Sequence, residues 1–254
     1  LDKRIFPWNH ANCGDLNLSG ERRPQSYLRE TLWSDAPVSH IVVTPPVPSF
    51  PLNPDKADWS VWDFPDVVDH WNFPGYEGKK MTVSVYSNCE QVELFLNGES
   101  LGKQENTADK KNTLVWEVPY AHGILKAVSY NKGGEVGTAT LESAGKVEKI
   151  RLSADRTEIV ADGNDLSYIT LELVDSKGIR NQLAEELVEF SIEGDATIEG
   201  VGNANPMSIE SFVANSRKTW RGSNLLVVRS GKSSGRIIVT AKVKALPVAS
   251  ITIT

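Results

Sequence analysis

The sequence predicts an all-β protein of two tandem β-sandwiches led in by one short helix, and three observations carry that prediction. Beyond Lys79, short β-branched and aromatic runs recur with period-two alternation. Turn chemistry separates them, most plainly at Asn97-Gly98 and Asn131-Lys132-Gly133-Gly134. Helical spacing appears in one segment only, residues 21–33.

Taken in order, the helix comes first. Pro24 sits where a first turn tolerates a missing N–H, and Tyr27, Leu28, Thr31 and Leu32 fall on one stripe expected to dock on a neighbour. Residues 5–8 and 13–16 upstream are too short to fold alone, so residues 1–33 do not make a domain. A β-branched run at 40–44 is the first strand, followed by Pro45, Pro46, Pro48, Pro51 and Pro54, which hold the next stretch extended and outside a sheet. Strands follow at 81–86, 92–96, 114–118, 124–130 and 136–141, with hairpin turns at Asn97-Gly98 and 131–134. The pattern pauses at 143–146. It resumes at 149–153, 168–174, 188–192, 225–229, 236–243 and 249–253, with Asp, Gly, Asn and Ser between. Six or more strands in about a hundred residues fit an immunoglobulin-like sandwich, and residues 183–187 are expected to add at most one helical turn.

Composition narrows the functions. The chain has 254 residues, a net charge of −6, 40% hydrophobic and 24% charged residues, a length for one or two domains with real cores. No run of about 18 apolar residues suggests a membrane-spanning helix. Acids and bases are interspersed, so no basic face is expected for nucleic acid. Cys13 and Cys89 form no CxxC or Cys/His cluster and read as free thiols. His10, His40, His70 and His122 are scattered one per segment, so neither a metal nor another cofactor is expected. No signal-peptide pattern opens the chain, and its charged start reads as the interior of a longer polypeptide.

Three catalytic patterns occur by letter only. Gly231-Lys232-Ser233-Ser234-Gly235 matches G-x-S-x-G, but strand-like residues flank it on both sides, whereas a nucleophile elbow needs a strand-to-helix turn. Its Gly-Lys-Ser lacks the earlier glycine of a phosphate loop, since position 226 is Leu. Gly200-Val201-Gly202 has no helix after it. No catalytic residue is assigned.

Between residues 55 and 77 six acids, Asp55, Asp58, Asp63, Asp66, Asp69 and Glu77, face one base, Lys56. Trp59, Trp62, Phe64, Trp71, Phe73 and Tyr76 interleave with them. Flat rings beside carboxylates suit sugars, because an aromatic face stacks on pyranose C–H groups while acids accept hydroxyls. Trp59, Trp62 and Trp71 are therefore the candidate carbohydrate-binding residues. The competing reading is structural, with these rings pinning an irregular segment to a sandwich.

At this point the residues resemble a known family. Residues 8–20 with Arg23-Pro24-Gln25-Ser26-Tyr27 resemble the stretch after the last barrel strand of glycoside hydrolase family 2 enzymes. Residues 71–79, 83–87 and 92–102 are similar to the immunoglobulin-like domain that follows the barrel in bacterial β-galactosidases of that family. Residues 152–156, 161–163 and 200–203, with Arg217, Lys218, Trp220 and Gly222, resemble the next C-terminal module. The resemblance implies three parts: residues 1–33 as the last loop and helix of a (β/α)8 catalytic barrel, 34–145 as one immunoglobulin-like sandwich with a long aromatic and Pro-rich lead, and 146–254 as a second. It places the catalytic glutamates upstream of these residues, so the chain alone is expected to be inactive, its parent being a β-galactosidase-like glycosidase. The implied partner is the catalytic barrel of the same polypeptide, with a glycan as a further one, and the implied location is periplasmic or extracellular in a bacterium. Trp8 and Asn12 would lie at the active-site rim, on the C-terminal face of the barrel. Two other roles compete with barrel support: a carbohydrate-binding module using Trp59, Trp62 and Trp71, and adhesin-like spacer domains.

Overall fold

The computed structural model describes residues 6–9, 13–50 and 64–254. The chain divides into two compact units, Leu1–Ser143 and Ala144–Thr254, each with its own antiparallel sheets and apolar core.

The first unit opens with α1 (Pro24–Trp33) and continues through β1 (Ser39–Val43), β2 (Lys80–Ser87), β3 (Gln91–Leu96), β4 (Glu99–Glu105), a 3-10 turn at Ala108–Lys110, β5 (Thr113–Pro119), β6 (Ile124–Asn131) and β7 (Gly134–Glu142). Its sheets run β1-β2-β5 and β4-β3-β6-β7. Alternation decides which face each strand buries. In β5, Leu114, Trp116 and Val118 point into the core, while Val115 and Glu117 face out. The β3–β4 hairpin turns on Asn97 and Gly98 at φ 52 and 89, the left-handed pair a two-residue turn requires.

The second unit comprises β8 (Lys149–Ala154), β9 (Leu166–Val174), β10 (Leu187–Glu193), β11 (Ala196–Gly202), β12 (Ser216–Lys218), β13 (Ser223–Ser230), β14 (Ile237–Val243) and β15 (Ala249–Ile253). They form two four-stranded sheets, β12-β10-β14-β15 and β11-β13-β9-β8, a sandwich closed over Leu171, Phe190, Leu226, Val239 and their neighbours. Every strand expected from the sequence is present. Three further ones form: β4, which returns from the Asn97-Gly98 turn to pair with β3, and β11 and β12, which carry weak signals. Gly200 and Gly202 dilute β11, and a register shift between Ile198 and Gly200 breaks its alternation. β12 spans three residues.

Two local expectations differ from the fold. Residues 183–187 make no helical turn: Asn181 accepts the Leu183 N–H on its side chain, the chain bends, and β10 begins at Leu187. The α1 stripe is also rotated. The helix buries Pro24, Gln25, Ser26 and Thr31 and leaves Leu32 63% and Trp33 79% exposed. Thr31, bonded to Asn112, and Tyr27, stacked on His40 of β1, meet the sandwich, while Gln25 donates to the Gly14 carbonyl and Ser26 accepts from Arg22.

Candidate functional site

Side-chain hydrogen bonds tie α1 to the sheet β1-β2-β5, and two asparagines build this junction. Asn88 lies just past β2, and Asn112 just before β5; the Ser87 N–H donates to the Asn112 carbonyl at 3.0 Å, holding the two together at one end of the sheet. Asn112 Nδ2 donates to the Thr31 carbonyl at 3.3 Å and to Thr31 Oγ1 at 3.1 Å, inside the last turn of α1. Helix C-termini leave carbonyls without intrahelical partners, so an amide donor here satisfies a group that would otherwise need water. Asn88 Nδ2 donates to the Ser34 and Ala36 carbonyls at 2.9 Å each, and its Oδ1 accepts the Val38 N–H at 2.8 Å. One amide side chain thus spans the whole connection from α1 to β1.

Ring stacking completes the junction at the other end of the helix. Tyr27 on α1 lies flat on His40 of β1, centroids 3.6 Å apart and planes 7° from parallel, with the Arg22 guanidinium 3.9 Å from the Tyr27 centroid. Glu30 holds Arg22 at 2.6 Å, and Ser26 accepts from its Nε at 3.0 Å. Burial pushes His40 down to about 4; Arg22 pushes the same way, while Asp69 and Glu30 oppose it. Tyr86, opposite His40 in the β1–β2 register, is pushed up to about 12 by burial. At neutral pH the His40 imidazole is therefore uncharged, which suits its stacked, partly buried contact with Tyr27.

The aromatic segment resolves as structural where it is described. Trp71 is fully buried at 0% exposure, so it is not a sugar-stacking surface ring, contrary to the carbohydrate-binding expectation. Its indole Nε1 donates to the Ala121 carbonyl at 2.9 Å, and its ring meets Tyr120 edge-on at 4.9 Å. Phe73 packs beside it and donates its N–H to the Tyr120 hydroxyl at 3.0 Å, and Ser143 Oγ donates to the Trp71 carbonyl. Val68 pairs with Val43 through two backbone hydrogen bonds. An extended stretch without a sheet partner on both sides gains its stability from such large buried rings. Of the clustered acids, Asp66 accepts the Ser49 N–H at 2.6 Å, and Glu77 accepts the Gly75 N–H at 3.2 Å. Trp59, Trp62 and Asn12 lie outside the described residues. Trp8 is half-buried, edge-on to Phe50 at 5.0 Å.

The serine of the G-x-S-x-G string is in a loop between β13 and β14, as its strand-like flanks require. Asp195 explains that loop: its Oδ2 accepts the N–H groups of Lys232 at 2.9 Å and Ser233 at 2.8 Å. The Ser233 amide, then its hydroxyl, hold this carboxyl below its usual range. Gly231 is required because a Cβ there would fall 2.1 Å from the Asp195 carboxyl carbon. On the same unit, Arg217 is 0% exposed and donates to the carbonyls of Val201 and Glu210 at 3.2 Å each and to Ser208 Oγ at 3.0 Å, tying down the loop 203–215. An open depression of about 700 Å³ is lined by residues that include Lys146, Glu148, Leu183, Glu186 and Lys244, none of its lining aromatic. Among the described residues no group of three or more His, Cys, Asp or Glu is placed to hold a metal ion.

Sequence reasoning did not single out Asn88 or Asn112. Each reads as an ordinary turn residue, and its long-range partners are invisible without the fold.

The architecture defines the class: tandem immunoglobulin-like sandwiches carrying, on the first, a helix held through its polar face and last turn. Residues 150–252 match the domain family described as glycoside hydrolase family 2 C-terminal domain 5, and residues 78–137 match a domain of unknown function, DUF4982. A solved glycosyl hydrolase family 2 member from Bacteroides cellulosilyticus is 96% identical with a TM-score of 0.92, over 96% of this chain and 32% of its own. A β-galactosidase from Bacteroides ovatus is 31% identical over 95% of this chain and 25% of its own length. A solved β-glycosidase from Bacteroides vulgatus is 25% identical with a TM-score of 0.79, over 94% of this chain and 27% of its own. The chain therefore spans a quarter to a third of these relatives. It belongs to glycoside hydrolase family 2, as the C-terminal region of such a protein.

Proposed function

We propose that the two sandwiches are non-catalytic accessory modules that support the barrel of a family 2 glycosidase acting on β-galactosides. The observation that carries this reading is the α1 junction. The helix is held to the sandwich by Asn88, Asn112 and the Tyr27–His40 stack, while Leu32 and Trp33 face outward at 63% and 79% exposure. Large apolar side chains on an exposed helix end are costly unless something covers them. The remainder of a barrel, of which α1 would be the last helix, is the cover this reading supplies. The β-galactoside preference is supported by the name of the Bacteroides ovatus relative; a Formosa agariphila relative, 30% identical, is named a β-glucuronidase, which makes the glucuronide the competing substrate.

The test compares this chain with the longer family 2 polypeptide on chromogenic β-galactoside and β-glucuronide. Hydrolysis of the galactoside by the longer protein, with none by this chain, is the expected result. Turnover by the chain itself would end the accessory reading, and cleavage of the glucuronide alone would end the β-galactoside assignment.

A further inference from the structure

Asn97-Gly98 is the one Asn-Gly pair in the sequence, and chemically it is the most labile dipeptide a protein carries. Glycine has no side chain to shield its amide nitrogen, so that nitrogen can reach the asparagine carboxamide. Both residues are exposed, and a Cβ at Gly98 would meet nothing within 4 Å, so water has free access. The conformation of Asn97 opposes this reactivity. Its Nδ2 donates to the His122 carbonyl at 3.2 Å, its Oδ1 accepts the Ile124 N–H at 2.8 Å, and its own N–H donates to the Ile124 carbonyl at 2.8 Å. The side-chain amide is thereby turned toward the loop 122–124. Gly123 makes the close approach feasible: a Cβ there would lie 1.9 Å from Asn97 Oδ1.

We infer that Asn97 is a deamidation site kept latent by its clasp on the loop 122–124 and released only when that loop opens. In the open state the Gly98 nitrogen attacks Asn97 Cγ. The N–Cγ bond forms, the Cγ–Nδ2 bond breaks, and ammonia departs carrying the amide proton, leaving a succinimide. Water then adds to either ring carbonyl and opens it to aspartate or isoaspartate, so the net change is ammonia out and water in. The product cannot close the clasp again, because a carboxylate oxygen has replaced the donor that faced the His122 carbonyl.

Two ordinary hydrogen bonds hold back such an opening by about thirtyfold. The experiment follows deamidation of the residue-97 peptide by mass spectrometry in the folded chain and in the chain unfolded in urea, at one pH and temperature. The folded chain is expected to react about thirtyfold more slowly. Ile124→Pro removes the N–H that Oδ1 accepts, at the first residue of β6, where proline is tolerated. Gly123→Ala displaces the Asn97 side chain directly. Each variant, shown by circular dichroism to be folded, is expected to move the rate toward the unfolded value. Equal rates in the folded and unfolded parent chain would overturn the inference without reference to any variant. So would folded variants that leave the rate unchanged.

Discussion

Acidification singles out His40. The ring is neutral in the folded chain down to about pH 4, whereas in the unfolded chain it takes up a proton near 6.5. Between those values the unfolded state binds more protons, so stability is complete above about 6.5 and falls as the pH drops toward 4. At about 1.36 kcal/mol per pH unit, the interval amounts to about 3 kcal/mol, a large share of what a small domain has. The geometry says where the loss acts: an imidazolium would sit 3.6 Å from the Tyr27 centroid, on a ring that already carries Arg22, with Nε2 buried and unbonded. The charged ring therefore weakens the contact between α1 and β1 first. His40→Phe keeps a flat ring and removes the titration. Urea unfolding read by tryptophan emission is a suitable assay for the first unit, because Trp220 is the one tryptophan in the second. Between pH 7 and pH 4 the parent is expected to lose about 3 kcal/mol more than His40→Phe. Parallel losses in the two proteins, or a His40 proton resonance that titrates near 6.5, would refute the reasoning.

Three further outcomes follow from the contacts described. Asn88→Ala removes three hydrogen bonds across the α1–β1 connection and is expected to cost about 2–3 kcal/mol, with faster amide exchange in α1 and an unchanged second unit. Trp71→Ala empties a fully buried site and removes the bond to Ala121; it is expected to cost about 3–5 kcal/mol of first-unit stability in chemical denaturation, and a loss below about 1 kcal/mol would contradict its place in the core. Arg217→Met removes the donors that tie the loop 203–215 to its carbonyls, so amide exchange in that loop is expected to rise while β9, β13 and β14 stay protected; protection unchanged in the loop would show that Arg217 does not hold it.

How far the sequence can be read depends on the range of the interaction. Period-two runs such as 114–118 and the left-handed turn at Asn97-Gly98 are local, and both stand in the fold as expected. β11 was not legible because its glycines and its bulge erase the alternation over a few residues. The candidate site was legible only in outline. Residues 21–33 marked the helix through Pro24 and the stripe Tyr27, Leu28, Thr31 and Leu32, but Asn88 and Asn112 are 54 and 81 positions from the residues they bind, Ser34 and Thr31. Trp71 shows the converse failure: a tryptophan among acids has the composition of a sugar platform, and the bond to Ala121, 50 positions away, makes it a core residue.

By itself, then, the sequence determined that the chain is all-β, where its hairpins turn, and to which family its order of motifs belongs, because each of these rests on backbone preference or on residues adjacent in the chain. Which face of α1 turns inward, which aromatic rings are buried, and which asparagines bind a helix rather than end a strand were decided only by tertiary structure. Those outcomes depend on hydrogen-bond partners and packing neighbours that come together when distant strands pair, and burial assigns a role only once both partners are in place.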